Sequence, residues 1–357
     1  MPEPTAPRPE FTAADPAAEF TPPAQPRADF AFATSVAESD TSTSIVVDPT
    51  GEPQITLGTR KLSEQRDIVY ATPKGADGKP SPLRLDLLVP DTDEPAPLVI
   101  YVPGGGFMIS RKELAAETKS YVAEAGFAVA SIEYRTIPQD ATFRDAVADV
   151  QSALRHLRAH AEEYGIDTRR VALWGESAGG YLAAMTGVLG GRSPLDPAPT
   201  DPGAADRDAA VQAVVDNFGA SDLTRIAADF DPVTRARFEG ADNIAAMFVN
   251  GRTSGVSLAG APQAAAESNP ISHLDSTPAL PAFLLLHGTA DPVVSPSQTL
   301  LLHEALRAHG ADSTRVVLVG AGHGDLAVLD DEEVGRPWST RRTMDLVTDF
   351  LRRTLHG

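Results

Sequence analysis

Trp174-Gly175-Glu176-Ser177-Ala178-Gly179-Gly180 follows the apolar run Val171-Ala172-Leu173 and leads into the helix-prone segment Tyr181 to Leu189. That order is a strand, a sharp turn and a helix, with a serine at the apex of the bend. A G-x-S-x-G turn needs glycine on either side of the apex, because a Cβ at those positions would collide with the adjoining strand or helix. The bend holds the Ser177 hydroxyl up into a cleft, at the positive end of the helix that follows.

A serine hydroxyl is a poor nucleophile at neutral pH. It needs a histidine to take its proton, a carboxylate to orient that histidine, and donors for the oxyanion. A serine on this kind of turn takes its partners from later in the chain, acid before histidine, each just beyond a strand. Beyond the strand-like run Ala282 to His287 comes Gly288-Thr289-Ala290-Asp291-Pro292, which places Asp291 in a turn. Beyond Thr314 to Val319 comes Gly320-Ala321-Gly322-His323-Gly324. A packed core histidine would not sit between glycines, so His323 is the expected base. Of the other histidines, His156, His160, His303 and His309 fall in helical runs, His273 and His356 in loop or tail, and His287 at a strand end, where burial is expected. Asp325 and Asp330 are rival acids near His323, but either would put acid after base.

Tyr101-Val102-Pro103-Gly104-Gly105-Gly106-Phe107 lies just after another strand-like run. Its glycines let backbone N–H groups approach a substrate oxygen closely. With the N–H of Ala178, those of Gly105 and Gly106 would make a three-donor oxyanion hole, each donor worth roughly 3 kcal/mol. The loop lacks both a following Lys-Ser/Thr and a G-x-G-x-x-G spacing, which argues against a nucleotide.

The 357 residues carry 49 acidic and 30 basic side chains, a formal charge of −19. Such a charge repels phosphate backbones and anionic lipid surfaces, so neither nucleic acid nor membrane is an expected partner. The chain contains no cysteine, which removes thiolate catalysis, disulfides and Cys-based zinc sites. No basic region followed by an apolar core of signal-peptide length is present at the start, and no apolar run approaches a membrane span. A cytoplasmic location is the expectation.

From Arg66 onward, apolar β-prone runs alternate with helical patterns, the signature of an α/β fold with a mostly parallel sheet and helices on both faces. Eight strands are expected: Asp67 to Ala71, Leu83 to Val89, Leu98 to Val102, Phe127 to Glu133, Val171 to Trp174, Val211 to Asp216, Ala282 to His287 and Thr314 to Val319. The first two have no helix between them and should form an antiparallel edge. Phe143, Val147, Val150, Leu154 and Leu157 predict a helix over Thr142 to Tyr164, stopped by Gly165. Residues 1–55 hold ten of the thirty prolines and an excess of acid, the composition of a disordered tail. Yet Phe11, Phe20, Phe30 and Phe32 equally suit an arm docked on the main domain or on a second subunit of a homodimer. Residues 56–357 form the second unit, interrupted at about 223–276 by a long insertion with Phe230, Phe238, Met247 and Phe248, as a lid or binding region would be.

These motifs together resemble the α/β-hydrolase superfamily, and within it the esterases that join hormone-sensitive-lipase-like enzymes and the bifunctional feruloyl and acetyl-xylan esterases. The resemblance runs from about Arg66 to Leu355 and includes Leu85-Asp86-Leu87, Tyr164-Gly165-Ile166-Asp167 and His287-Gly288-Thr289-Ala290-Asp291. It implies an α/β-hydrolase fold with a cap insertion, no metal or cofactor, and a small or medium neutral ester with a short acyl group as substrate. Phe107, Met108, Glu176, Met247 and Phe248 are the expected pocket residues. The chain departs from the family where Pro103 stands in place of the usual histidine before the three glycines. The same triad would serve acyl transfer or lactone formation, and some members of the superfamily bind ligands without turning them over.

Overall fold

A computed structural model describes residues 32–357, apart from 76, 191–208, 278, 326–335 and 357. Its centre is a sheet of nine strands: β1 (Ile45–Val47), β2 (Leu62–Ala71), β3 (Leu83–Pro90), β4 (Ala96–Val102), β5 (Ala128–Ile132), β6 (Ile166–Glu176), β7 (Ala213–Asn217), β8 (Ala282–Gly288) and β9 (Ser313–Leu318). Their spatial order is β1-β9-β8-β7-β6-β4-β5-β3-β2. The run β1 to β5 is parallel throughout, while β3 pairs antiparallel with both β5 and β2. The antiparallel edge is where the missing helix between β2 and β3 places it. The expected count of eight is one short, because Ile45–Val47 lies in the arm and pairs with Val316 to Leu318 of β9. The arm is thus docked over its described part: the Ala33 N–H donates to the Pro292 carbonyl and the Ala37 N–H to that of Asp229. Phe32 is exposed; Phe11, Phe20 and Phe30 lie outside the described residues.

The inner strands read as unbroken apolar runs because both faces are covered. In β4, Leu98, Ile100 and Val102 face one core, with α2 (Phe143–Ala159), α4 (Ala178–Leu189) and α8 (Ser297–Ala308). Val99 and Tyr101 face the other, with α1 (Ala116–Glu124) and α9 (Arg341–Leu355). The predicted long helix is α2 followed by a short turn of helix, α3 (Ala161–Tyr164), with a break at His160. Thr142 and Asp145 cap α2 reciprocally, and Gly165 ends α3 in the left-handed region.

Between β7 and β8 the insertion folds as short pieces, α5 (Pro232–Arg237), α6 (Ile244–Asn250) and α7 (Pro262–Glu267), flanked by tighter helix at Leu223–Arg225 and Pro270–Ser276. No helix among the described residues is long and apolar enough to cross a membrane. Because β4, β6, β7, β8 and β9 are parallel, the loops after them open on one edge of the sheet, where ligands bind in open α/β sheets.

Candidate active site

Ser177 occupies that edge at φ 54°, ψ −119°, a conformation that non-glycine residues rarely adopt. The surrounding packing enforces it. A Cβ on Gly175 would lie 2.1 Å from the Gly179 carbonyl oxygen, and one on Gly179 would lie 2.0 Å from that of Val102. The Ser177 N–H donates to the Asn217 carbonyl at 2.8 Å, tying the turn to the end of β7.

The loops after β8 and β9 bring two further side chains to this serine. Nε2 of His323 is 2.8 Å from Ser177 Oγ, and its Nδ1 is 2.7 Å from Asp291 Oδ2. Asp291 is wholly buried. Its Oδ1 accepts the N–H groups of Val293 and Val294 at 2.8 and 3.0 Å. Burial acts to raise its pKa, but the charge of His323 and hydrogen bonds from His287 and His323 outweigh burial and hold the carboxyl well below the usual range. A neighbouring anion of this kind fixes the imidazole ring and stabilises the imidazolium form.

Of the three glycines after β4, Gly104 lies against the serine. A Cβ on Gly104 would come 3.3 Å from that of Ser177. The N–H groups of Gly105, Gly106 and Ala178 take part in no hydrogen bond among the described residues. Where the family pattern has histidine, the Pro103 carbonyl accepts the buried Tyr134 hydroxyl at 2.9 Å.

Some expected site residues play other parts. Phe248 has no exposed surface and stacks on Phe107 at 4.0 Å between ring centroids, with Tyr181 edge-on to both. This trio is packing beneath the site: Phe248 presents nothing to a ligand and Phe107 retains only 4% exposure. Phe230 is likewise buried, while Met108, Met247 and Phe238 are half-buried against the same core. Glu176, half-buried beside the serine, has its carboxyl pushed up to about 7, by burial and by Asp325, against the opposing pull of His323. Asp325 does not reach His323. It accepts the Trp338 N–H and the Ser339 hydroxyl, and Asp330 lies outside the described residues.

Sequence reasoning missed the residues that hold His323 in place. Phe218 meets its ring edge-on at 4.7 Å, Trp338 packs on Phe218 at 4.5 Å, and the Trp338 indole N–H donates to the Gly322 carbonyl. Nothing local marks them, since Phe218 follows β7 and Trp338 precedes α9. His287 is buried, as its position at a strand end predicts, but that position does not reveal its contact with Asp291, 3.2 Å from Nε2 to Oδ2.

A nine-stranded, mostly parallel sheet with a serine on a strained strand-to-helix bend and histidine and aspartate loops beyond later strands defines the α/β-hydrolase class. Within it the chain belongs to the BD-FAE family, whose model matches residues 85–306. It is similar to the esterase LipC of Mycobacterium tuberculosis, 32% identical over 68% of this chain and 56% of the relative. It is also similar to the probable carboxylic ester hydrolase LipM of the same organism, 31% identical over 59% of this chain and 45% of the relative. The chain thus spans about half the length of these curated relatives. Among solved structures, a bifunctional GH43-CE protein of Bacteroides eggerthii superposes with a TM-score of 0.66 at 28% identity, covering 82% of this chain and 38% of that one. A propionate-bound esterase of Thermogutta terrifontis superposes with a TM-score of 0.59 at 22% identity, covering 83% and 94%.

Proposed function

We propose that the protein is a serine carboxylic ester hydrolase acting on small to medium neutral esters with short acyl groups. The observation that carries this reading is the continuous run from Ser177 Oγ to His323 Nε2 at 2.8 Å and from His323 Nδ1 to Asp291 Oδ2 at 2.7 Å. His323 Nε2 takes the Ser177 proton as Oγ attacks the ester carbonyl carbon. The carbonyl oxygen becomes an oxyanion that the N–H groups of Gly105, Gly106 and Ala178 receive. The imidazolium, held by Asp291, then gives its proton to the departing alkoxide, leaving an acyl-enzyme. Water repeats the sequence: His323 takes its proton, the hydroxide oxygen bonds to the acyl carbon, and Ser177 leaves as a hydroxyl with the carboxylic acid released. Each step moves a proton or an acyl group between residues named here and substrate or water, so the chemistry calls for no metal or cofactor.

The short-acyl preference is supported by the Thermogutta terrifontis esterase 2 structures, one propionate-bound and one butyrate-bound, and by the aromatic trio Phe107, Phe248 and Tyr181 that fills the space beneath the site.

Intact mass after fluorophosphonate treatment of wild type, Ser177→Ala and His323→Ala, with hydrolysis of p-nitrophenyl acetate, butyrate and octanoate, tests the reading. One adduct on wild type alone, with turnover falling from acetate or butyrate to octanoate, is expected. Full hydrolysis by Ser177→Ala would refute it.

A further inference from the structure

Asp291 has a second imidazole partner. His287, wholly buried at the end of β8, has Nε2 3.2 Å from Asp291 Oδ2 and 3.1 Å from the Val294 carbonyl oxygen. Both neighbours are acceptors only, so Nε2 carries the ring's N–H. The other ring nitrogen, Nδ1, is 3.1 Å from Thr299 Oγ1. Thr299 Oγ1 in turn accepts the Nε–H of Arg315 at 3.1 Å, which leaves its own proton free to point at His287 Nδ1. Its rival acceptor, the Pro296 carbonyl, is farther, at 3.4 Å. If Thr299 turned that way, a neutral His287 would need its proton on Nδ1, and a bare Nε2 would face two oxygens. With a neutral ring, the distances are all met by a proton on His287 Nε2 and by bonds that run in one direction from Arg315 through Thr299 and His287 to Asp291.

Arg315 is itself held by the arm. It is 1% exposed, and among the described residues no carboxylate lies within 4.0 Å of its guanidinium. Instead Nη1 donates to the Asp40 carbonyl at 3.0 Å and to Ser44 Oγ at 2.8 Å, and Nη2 to the Pro296 carbonyl at 3.0 Å and to Ser39 Oγ at 3.4 Å. These oxygens take up the Nη1 and Nη2 donors, which leaves Nε–H for Thr299 Oγ1 and holds the guanidinium in one orientation behind it. The end of that run of bonds is the carboxylate that must accept the His323 proton donor in one orientation. Oδ1 is fixed by two backbone N–H groups; on Oδ2, His287 supplies the second donor beside His323.

We propose that His287 is a positioning residue for the Asp291–His323 pair, oriented through Thr299 by an Arg315 that residues 39–44 of the arm clamp. This rests on the hydrolase reading above. The arm is then part of the support of the active site, and a change at Ser44 or Thr299 is felt at His323.

The test uses the full chain with Thr299→Val, Thr299→Ser, His287→Phe and His287→Gln. The readouts are kcat and KM on p-nitrophenyl butyrate, fluorophosphonate labelling, thermal unfolding, and the low-field proton resonance of His323 Nδ1–H. Thr299→Val and His287→Phe are expected to lower kcat by about tenfold, the worth of one lost hydrogen bond to a charged group. KM should stay unchanged and the resonance should shift. Thr299→Ser, which keeps the hydroxyl, and His287→Gln, which keeps a side-chain N–H donor, should recover most of the loss. Loss of kcat that tracks loss of folded protein, with no recovery in the conservative pair, would show a merely structural role and overturn the proposal, as would folded Thr299→Val and His287→Phe with wild-type kcat and resonance. A wild type that takes no phosphonate on Ser177 would instead overturn the hydrolase reading, and the proposal with it; normal Ser177 labelling beside indifferent variants overturns the proposal alone.

Discussion

The Tyr134 hydroxyl donates to the carbonyl of Pro103 at 2.9 Å, from a side chain with 1% exposure. Proline at this position offers neither a side-chain hydrogen bond nor a backbone donor, so the start of the glycine loop is tied from outside. The Ile137 N–H makes a second tie, to the Phe107 carbonyl at 2.9 Å, at the loop's far end. Tyr134→Phe keeps the ring and removes the first tie. Its expected cost is about 1 kcal/mol of stability, the net worth of one hydrogen bond. A larger fall in kcat than in stability should accompany it, since the loop carries two proposed oxyanion donors. Steady-state kinetics beside urea unfolding would separate the two effects, and an unchanged kcat would mean that the loop holds its shape without Tyr134.

Gly105 is the least replaceable residue of that loop. Its φ is +150°, and a Cβ there would stand 2.2 Å from the Ile109 carbonyl oxygen and 2.6 Å from Ile109 Cγ1. Gly105→Ala must therefore move the 105–109 turn, whose Met108 and Ile109 N–H groups both donate to the Gly105 carbonyl. Displacing one oxyanion donor lowers kcat by roughly 100-fold or more. The variant should still unfold cooperatively and still take the phosphonate, only slowly. Wild-type turnover in Gly105→Ala would remove Gly105 from the oxyanion hole.

Asp291→Asn keeps the size of the side chain and removes its charge. The amide can present its N–H₂ to His323 and so favour the wrong tautomer, which in a serine triad costs about 10⁴ in kcat. Here the same amide would also face the N–H of His287 or those of Val293 and Val294. The loss should reach that full size, with KM within about threefold of wild type. Retention of more than a tenth of kcat would transfer the role to another carboxylate, and Asp325, bound to Trp338 and Ser339, would have to leave its partners to supply it.

The legible parts of this site share one property: their chemistry is written in local neighbours. Ser177, His323 and the loop at Gly105 sit among glycines, and Asp291 sits in an Asp-Pro turn at the end of an apolar run. The supports do not share it. Arg315 lies within β9 among Val316, Val317 and Leu318, and its partners Asp40 and Ser44 are 275 and 271 residues away. No periodicity reports a contact of that range. Ile45–Val47 is not legible as a strand because three residues are too few to show alternation, and because β1 gains its stability from pairing with β9 rather than from its own pattern. Phe248 in the insertion and Phe107 beside the glycine loop suit a pocket wall and a small core equally by sequence. Only the ring stacking decides between them.

Asp216 links stability to pH. Wholly buried at the end of β7, it accepts the Gly219 N–H at 2.8 Å through Oδ1, while Oδ2 has no partner among the described residues. Burial pushes its carboxyl from the ordinary 3.8 up to about 7, against the pull of that one hydrogen bond. Between those two values the folded chain holds a proton that the unfolded chain has released. The unfolded state therefore binds fewer protons, and unfolding free energy falls as pH rises through the window. The contribution is fully present below about 4 and fully lost above about 7, a swing on the order of a few kcal/mol. Asp216→Asn keeps an acceptor for the Gly219 N–H and cannot ionise, so its stability relative to wild type should rise from pH 5 to pH 8. Urea midpoints for both proteins at the two pH values measure this. An equal difference at both would mean that Asp216 is ionised in the folded protein throughout, with its Oδ2 charge met by a partner such as ordered water.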